Sequence, residues 1–222
     1  MITVLIVDDQ HLVRAGVRML CESTEDITVL GEATGGAQAV RMAEELGPDV
    51  VLMDLHMPGM DGITATAEIL RLRPATRVVV LTTFDDDDRL YPALHAGACG
   101  FLGKDVEPPA VLDAVRRAAA GDSPYSPTVL HRVVTRAARA WGGPPGRAGG
   151  GSPFTQRETE VLRLIAAGLS NSEIAERMHI GLTTVKTHVS SLMTKTDTTN
   201  RVRLAVLAIQ AGITVDHPRS DR

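Results

Sequence analysis

The sequence predicts two domains. The first is a doubly wound α/β domain on a five-stranded parallel sheet, and the second is an all-α domain of four helices with a helix-turn-helix. Three observations carry this. Short Val/Ile/Leu runs alternate with amphipathic stretches over the first 120 residues. A Gly/Pro-rich segment at 141–151 then interrupts the chain, and beyond Thr155 only helical periodicity remains.

The apolar runs lie at 3–7, 27–31, 50–53, 78–81 and 99–102. Most are apolar on both faces, as strands of a sheet covered on both sides must be. Helical patterns fall between them, at about 11–21, 36–46, 62–72, 87–96 and 108–120. Pro108 or Pro109 suits the first turn of the last of these. Pro92 falls inside the fourth, where an internal proline costs about 3 kcal/mol, so a late start or a kink is expected there. A short basic helix is expected at 127–140, ahead of the Gly/Pro-rich linker. In the second domain Thr155-Gln-Arg-Glu158 and Ser170-Asn-Ser-Glu173 are capping boxes that open two helices. Val161, Leu162, Leu164 and Ile165 form the apolar face of the first, which Gly168 ends. Ile174, Ala175 and Met178 serve the second, and a turn at 179–181 leads to helices at 182–194 and 200–210. The expected divisions are 1–120, a linker at 121–151, 152–215 and a tail at 216–222.

Composition narrows the function. No run approaches the about 18 apolar residues of a membrane span, and the start MITVLIVDDQ reads as a buried strand rather than a signal peptide. A cytoplasmic protein without membrane partners is expected. Cys21 and Cys99 are the two cysteines, and the seven histidines form no cluster, so no zinc site is expected. The net charge of -4 hides an asymmetry. Residues 1–120 hold 10 Lys+Arg against 19 Asp+Glu, whereas 151–222 hold 9 against 7. The first half favours cations, and the second is compatible with nucleic acid.

Ligands of such sheets sit at the carboxyl ends of the strands. There the sequence puts Asp8 and Asp9 on the first strand, Asp54 on the third, Thr82 on the fourth and Lys104 on the fifth. Converging carboxylates repel unless a cation joins them, and hard oxygen ligands suit Mg²⁺ (or Mn²⁺). A carboxylate beside such an ion can attack a phosphoryl donor, with a nearby ammonium stabilising the transferred oxygens. Lys104 is one of three lysines against twenty arginines. The run Asp85–Asp88 reads instead as a solvated loop and helix N-cap.

These residues, together with Met57-Pro58-Gly59-Met60-Asp61-Gly62 and Lys104-Asp105, resemble a receiver domain over about 2–120. The resemblance implies a flavodoxin-like fold, Asp54 as phosphoacceptor and Asp9 as a direct Mg²⁺ ligand. It implies Asp8 as a ligand acting mainly through water, with the His56 backbone carbonyl completing the set. Thr82 would bond the phosphoryl group, Lys104 would pair with it, and Phe101 would be the switch ring that rotates inward. Gly103 stands where an apolar residue is commoner.

The segment 154–213 resembles the LuxR/NarL type of helix-turn-helix through Thr155–Glu158, Gly168-Leu-Ser-Asn-Ser-Glu-Ile-Ala175 and Thr184-Val-Lys-Thr-His-Val189. On its third helix Thr183, Lys186, Thr187 and Ser190 share the outward face. Val185, Val189 and Leu192 face inward, and His188 reads as packing or a phosphate contact rather than a base reader. Gly181 replaces the usual N-cap serine, Ser190 takes an often basic position, and Thr196-Asp197 replaces an apolar-Gly pair. Val202, Ala205, Val206 and Ile209 give the fourth helix an apolar face that covers the other helices and partly pairs two subunits.

Together the two resemblances identify the chain as a two-component response regulator of the NarL/FixJ type. They imply a cognate sensor histidine kinase, double-stranded DNA bound as a homodimer, and RNA polymerase as a further partner. An aspartyl-phosphate phosphatase stays open as an alternative, although His56 stands where such enzymes place a second Asp. A DNA-binding adaptor independent of phosphorylation stays open as well.

Overall fold

The computed structural model describes residues 1–82, 87–125, 154–167, 169–198 and 201–213, and of Thr82, Asp87, Asp88 and Gln210 the backbone alone. The expected helix at 127–140, the Gly/Pro-rich linker, most of the Asp85–Asp88 run and Gly168 lie outside the described residues. The chain forms two compact units, Met1–Ser126 and Pro127–Arg222.

The first unit runs β1 (Ile2–Val7), α1 (His11–Glu22), β2 (Ile27–Ala33), α2 (Gly36–Leu46), β3 (Val50–Asp54), α3 (Gly62–Leu72), β4 (Arg77–Thr82), α4 (Asp87–His95), β5 (Gly100–Gly103) and α5 (Pro108–Ala119). The strands pair in parallel in the order β2-β1-β3-β4-β5. Side chains alternate across the sheet. Val4, Ile6, Leu52, Val79 and Leu81 pack with Val111, Val115 and Ala118 of α5 on one face. Leu5, Val7, Val51, Met53 and Val78 pack with Ala39, Ala43, Ala65 and Ile69 of α2 and α3 on the other. Strand order reverses between β1 and β3, so the crevice at their carboxyl ends is the switch point where such sheets bind ligands.

Two elements depart from the sequence pattern. Helix α4 starts at Asp87, not late, and carries exposed Pro92 inside it. Strand β2 continues through Glu32 to Ala33, after a register shift opposite Val4/Leu5. At the far edge, the chain past α5 returns to β5. The Phe101 amide donates to the Pro124 carbonyl (2.9 Å), and Tyr125 forms a parallel bridge with Phe101. A Cβ on Gly100 would come within 2.5 Å of Pro124, so only glycine permits this approach.

The second unit comprises α6 (Gln156–Ala166), α7 (Asn171–Met178), α8 (Leu182–Thr196) and α9 (Arg201–Gln210). Both expected capping boxes form, at Thr155/Glu158 and Ser170/Glu173. Val161, Leu162, Leu164, Ile165, Ile174, Met178, Val185, Val189 and Leu192 are buried as expected, with Val202, Ala205 and Val206 of α9. Buried Arg201 donates to Asn171 Oδ1 (2.6 Å) and to the Leu169 carbonyl, tying α9 to the start of α7. Among the described residues no helix is long and apolar enough to cross a membrane.

Candidate functional site

Strands β1 and β3 end side by side, Val7 pairing with Met53, so the next residues bring Asp8 and Asp54 together. Asp8, Asp9 and Asp54 each offer a carboxylate oxygen within 4.8 Å of the others. Asp8 and Asp54 are buried, and Asp9 is exposed. Lys104, just past β5, places Nζ 2.7 Å from Asp8 Oδ2 and 3.1 Å from Asp54 Oδ2. Apart from this ammonium, neither buried oxygen has a donor among the described residues. Burial pushes the Asp54 carboxyl above the usual carboxylate range; Lys104 opposes that shift and Asp8 adds to it. Burial also works against the Lys104 ammonium, but its two carboxylate partners outweigh it and raise its pKa. Two buried oxygens that share a single ammonium among the described residues, beside a third carboxylate, are a donor set that fits a hard divalent cation.

The other expected pocket residues surround this centre. Thr82 ends β4 beside Gly103, and its side chain lies outside the described residues. The His56 ring is exposed, and its backbone N–H helps hold the Asp54 carboxylate ionised. The α3 backbone approaches closely, since a Cβ on Gly62 would come within 2.0 Å of the Asp54 carbonyl oxygen. The Phe101 ring is fully buried and stacks on Tyr125 with centroids 5.9 Å apart.

On α8, Thr183, Thr187 and Ser190 are exposed, while Lys186 and His188 are half-buried. A depression of about 590 Å³ along this helix is lined by Thr183, Lys186, Thr187, Ser190, Ser191, Thr194 and Lys195. The Thr187 hydroxyl donates to the Thr183 carbonyl (3.0 Å), so its hydrogen is spent inside the helix. Gly181 caps α8 with extended backbone and no side-chain bond, and Asp197 closes it in the left-handed region.

Residues 4–116 match the model of the response regulator receiver domain, and 152–208 match that of the bacterial regulatory proteins of the luxR family. The chain belongs to the two-component response regulators. It is 42% identical over 208 residues to the transcriptional regulatory protein LiaR of Bacillus subtilis (strain 168), covering 94% of this chain and 97% of that one. It is 41% identical over 209 residues to the response regulator protein VraR of Staphylococcus epidermidis (strain ATCC 12228 / FDA PCI 1200), with the same coverage. Among solved structures, the response regulator ChrA of a heme-sensing two-component system superposes with a TM-score of 0.52 at 34% identity, covering 96% of this chain and 98% of that one. This response regulator therefore combines a receiver with a LuxR-type DNA-binding domain, and it is a transcription regulator. Its class works with histidine kinases and DNA, and receivers hold Mg²⁺ at an acidic pocket.

Three residues near the two sites of this response regulator escape sequence reasoning. Arg14 of α1 is buried and donates to the Asp8 carbonyl. Arg89 of α4 reaches the Leu55 carbonyl at 3.3 Å, just past the end of β3. Lys195 of α8 bonds Glu158 at 2.6 Å, joining the capping box of α6 to the end of α8. Each resembles an ordinary charge on a helix surface, and no local pattern marks its distant partner.

Proposed function

We propose that Asp54 accepts a phosphoryl group from the phosphohistidine of a cognate sensor histidine kinase. The observation that carries this is Lys104 Nζ within ionic contact of both Asp8 and Asp54. An Asp54 carboxylate oxygen attacks phosphorus, forming a P–O bond as the P–N bond to the donor imidazole breaks. The imidazole keeps the electron pair and takes its proton from solvent. Asp8, Asp9, Asp54 and the His56 carbonyl would hold Mg²⁺ (or Mn²⁺), which neutralises charge on the phosphoryl oxygens when bound. Lys104 pairs with one of those oxygens and the Thr82 hydroxyl bonds another, with Phe101, whose ring is already fully buried, at the switch position. Asp8 stays within reach of the ammonium and helps hold it in place.

The proposed division is a receiver over 1–120, a linker over 121–151, a DNA-binding domain over 152–215 and a tail over 216–222. In the DNA-binding domain α8 enters the major groove of double-stranded DNA. Thr183, Lys186, Thr187, His188 and Ser190 lie at the contact, and Lys186 is the principal cation. Phosphorylation promotes a homodimer on a two-fold site, with RNA polymerase as the downstream partner, in the cytoplasm. The chain is a switch and not an enzyme that turns over a substrate.

The test is incubation of the full chain with Mg²⁺ and acetyl phosphate, followed by mass spectrometry. One phosphoryl group should appear on Asp54 and tighten binding to selected DNA. Equal labelling of Asp54→Ala would overturn the reading.

A further inference from the structure

We infer that Arg14 is a positioning residue for the cation pocket, acting through the backbone of Asp8. The inference rests on reading the pocket as a divalent-cation site. Arg14 lies in α1, and its side chain is buried at 9% exposure. A buried arginine requires acceptors for its donors, and this one has two. Its guanidinium donates to the Asp8 carbonyl at 2.8 Å and to Glu32 Oε2 of β2 at 3.2 Å. Glu32 is held in turn by Arg18, so the carboxylate that orients Arg14 is itself fixed.

The consequence lies in the peptide plane. The Asp8 carbonyl and the Asp9 nitrogen belong to one planar unit, so anchoring the carbonyl fixes the direction in which both residues leave it. The rest of Asp8 is also engaged. Its amide donates to the Ala33 carbonyl at 3.1 Å, and its Oδ1 accepts from the Gln10 amide at 2.8 Å. Oδ2 remains to face the pocket beside Lys104. Arg14 thus sets the plane from which two of the three pocket carboxylates project, although it does not touch the cation.

Charge alone predicts the opposite effect. A guanidinium near an acidic pocket repels a cation, so removing it should tighten cation binding. Positioning predicts weaker binding, because orienting partners of metal ligands are worth about 10–100-fold in affinity. The test is Mn²⁺ titration of the full chain, followed by the electron paramagnetic resonance of free Mn²⁺, for wild type, Arg14→Met, Arg14→Lys and Glu32→Gln. Arg14→Met should raise Kd about tenfold or more with the number of sites per folded chain unchanged. Arg14→Lys keeps the charge but offers a point donor in place of the fork that spans both acceptors, so it too should bind more weakly. Glu32→Gln should shift Kd in the same direction, but it also removes a negative charge, so the charge-keeping Arg14→Lys decides the matter should Arg14→Met fail to fold. A Kd within twofold of wild type for Arg14→Lys overturns the inference, as does unchanged or tighter binding by Arg14→Met. A purely structural role would lower the number of sites per total chain at unchanged Kd, which also overturns the inference. Wild-type protein that binds no Mn²⁺ would instead overturn the cation reading itself.

Discussion

Replacing Lys104 with methionine keeps the stem and removes the ammonium that two buried carboxylates share. At distances of 2.7 and 3.1 Å, and with an effective dielectric of about 20, the two attractions are about 6 and about 5 kcal/mol gross. Desolvation of the ammonium offsets much of this, and breaking such a buried pair costs about 3–5 kcal/mol net. We therefore expect the receiver to lose about 3 kcal/mol without divalent metal near neutral pH. Hydrogen exchange of the β3 amides in the full chain reads this unit alone, and they should exchange about a hundredfold faster in EDTA. The pH dependence has a defined sign. Asp54 has a raised pKa in the folded state, so its charge costs stability above that pKa, and the cost disappears as pH falls through it. The gap between variant and wild type should narrow on acidification. Mg²⁺ should narrow it too, because it binds the folded form alone and binds the variant, whose carboxylates no longer share an ammonium, more tightly than wild type. Wild-type Lys104 has a raised pKa, so its contribution persists at neutral pH and is lost only as pH rises through that pKa. Wild-type protection of Lys104→Met in EDTA, or a gap insensitive to Mg²⁺, would refute this reasoning.

Further outcomes concern the DNA-binding unit. Lys186→Ala should weaken DNA binding across sequences and lower the slope of log affinity against log salt by about 1 per subunit, measured by fluorescence anisotropy. Gly181→Ser should stabilise the unit by about 0.5–1 kcal/mol in urea unfolding, because the backbone there is extended and the new hydroxyl can accept from the Thr184 amide. Lys195 first, then the Thr155 amide, hold Glu158 at about 2, below its usual 4.5. Its contribution should be complete above about 4.5, be lost as pH falls through about 2, and vanish from the acid-unfolding profile of Glu158→Gln.

Much of both units was legible because hydrophobic period and caps are local signals. Leu5 and Val7 point one way and Val4 and Ile6 the other, as an apolar run covered on both faces requires. The pocket was legible for a related reason, since a parallel sheet gathers strand ends that are far apart in sequence. What stayed hidden depends on long-range partners. Glu32 breaks the apolar run of β2, yet the strand continues, because Arg14 and Arg18 from another element bind its carboxylate. Helix α8 extends two residues past its expected end because Asp197 adopts the left-handed conformation (φ 50°) that commonly falls to glycine.

The return of Pro124 and Tyr125 to β5 also has a consequence for solubility. Strand β5 is the outermost of the sheet on that side, and an open edge is a template for pairing with another chain. Here the Phe101 amide is already bonded, and the Tyr125 ring lies against that of Phe101. Pro124 and Tyr125 therefore act as a selvedge, finishing a sheet that would otherwise fray into its neighbours. A fragment cut after α5 would lose this border, whereas one cut after Ser126 would keep it.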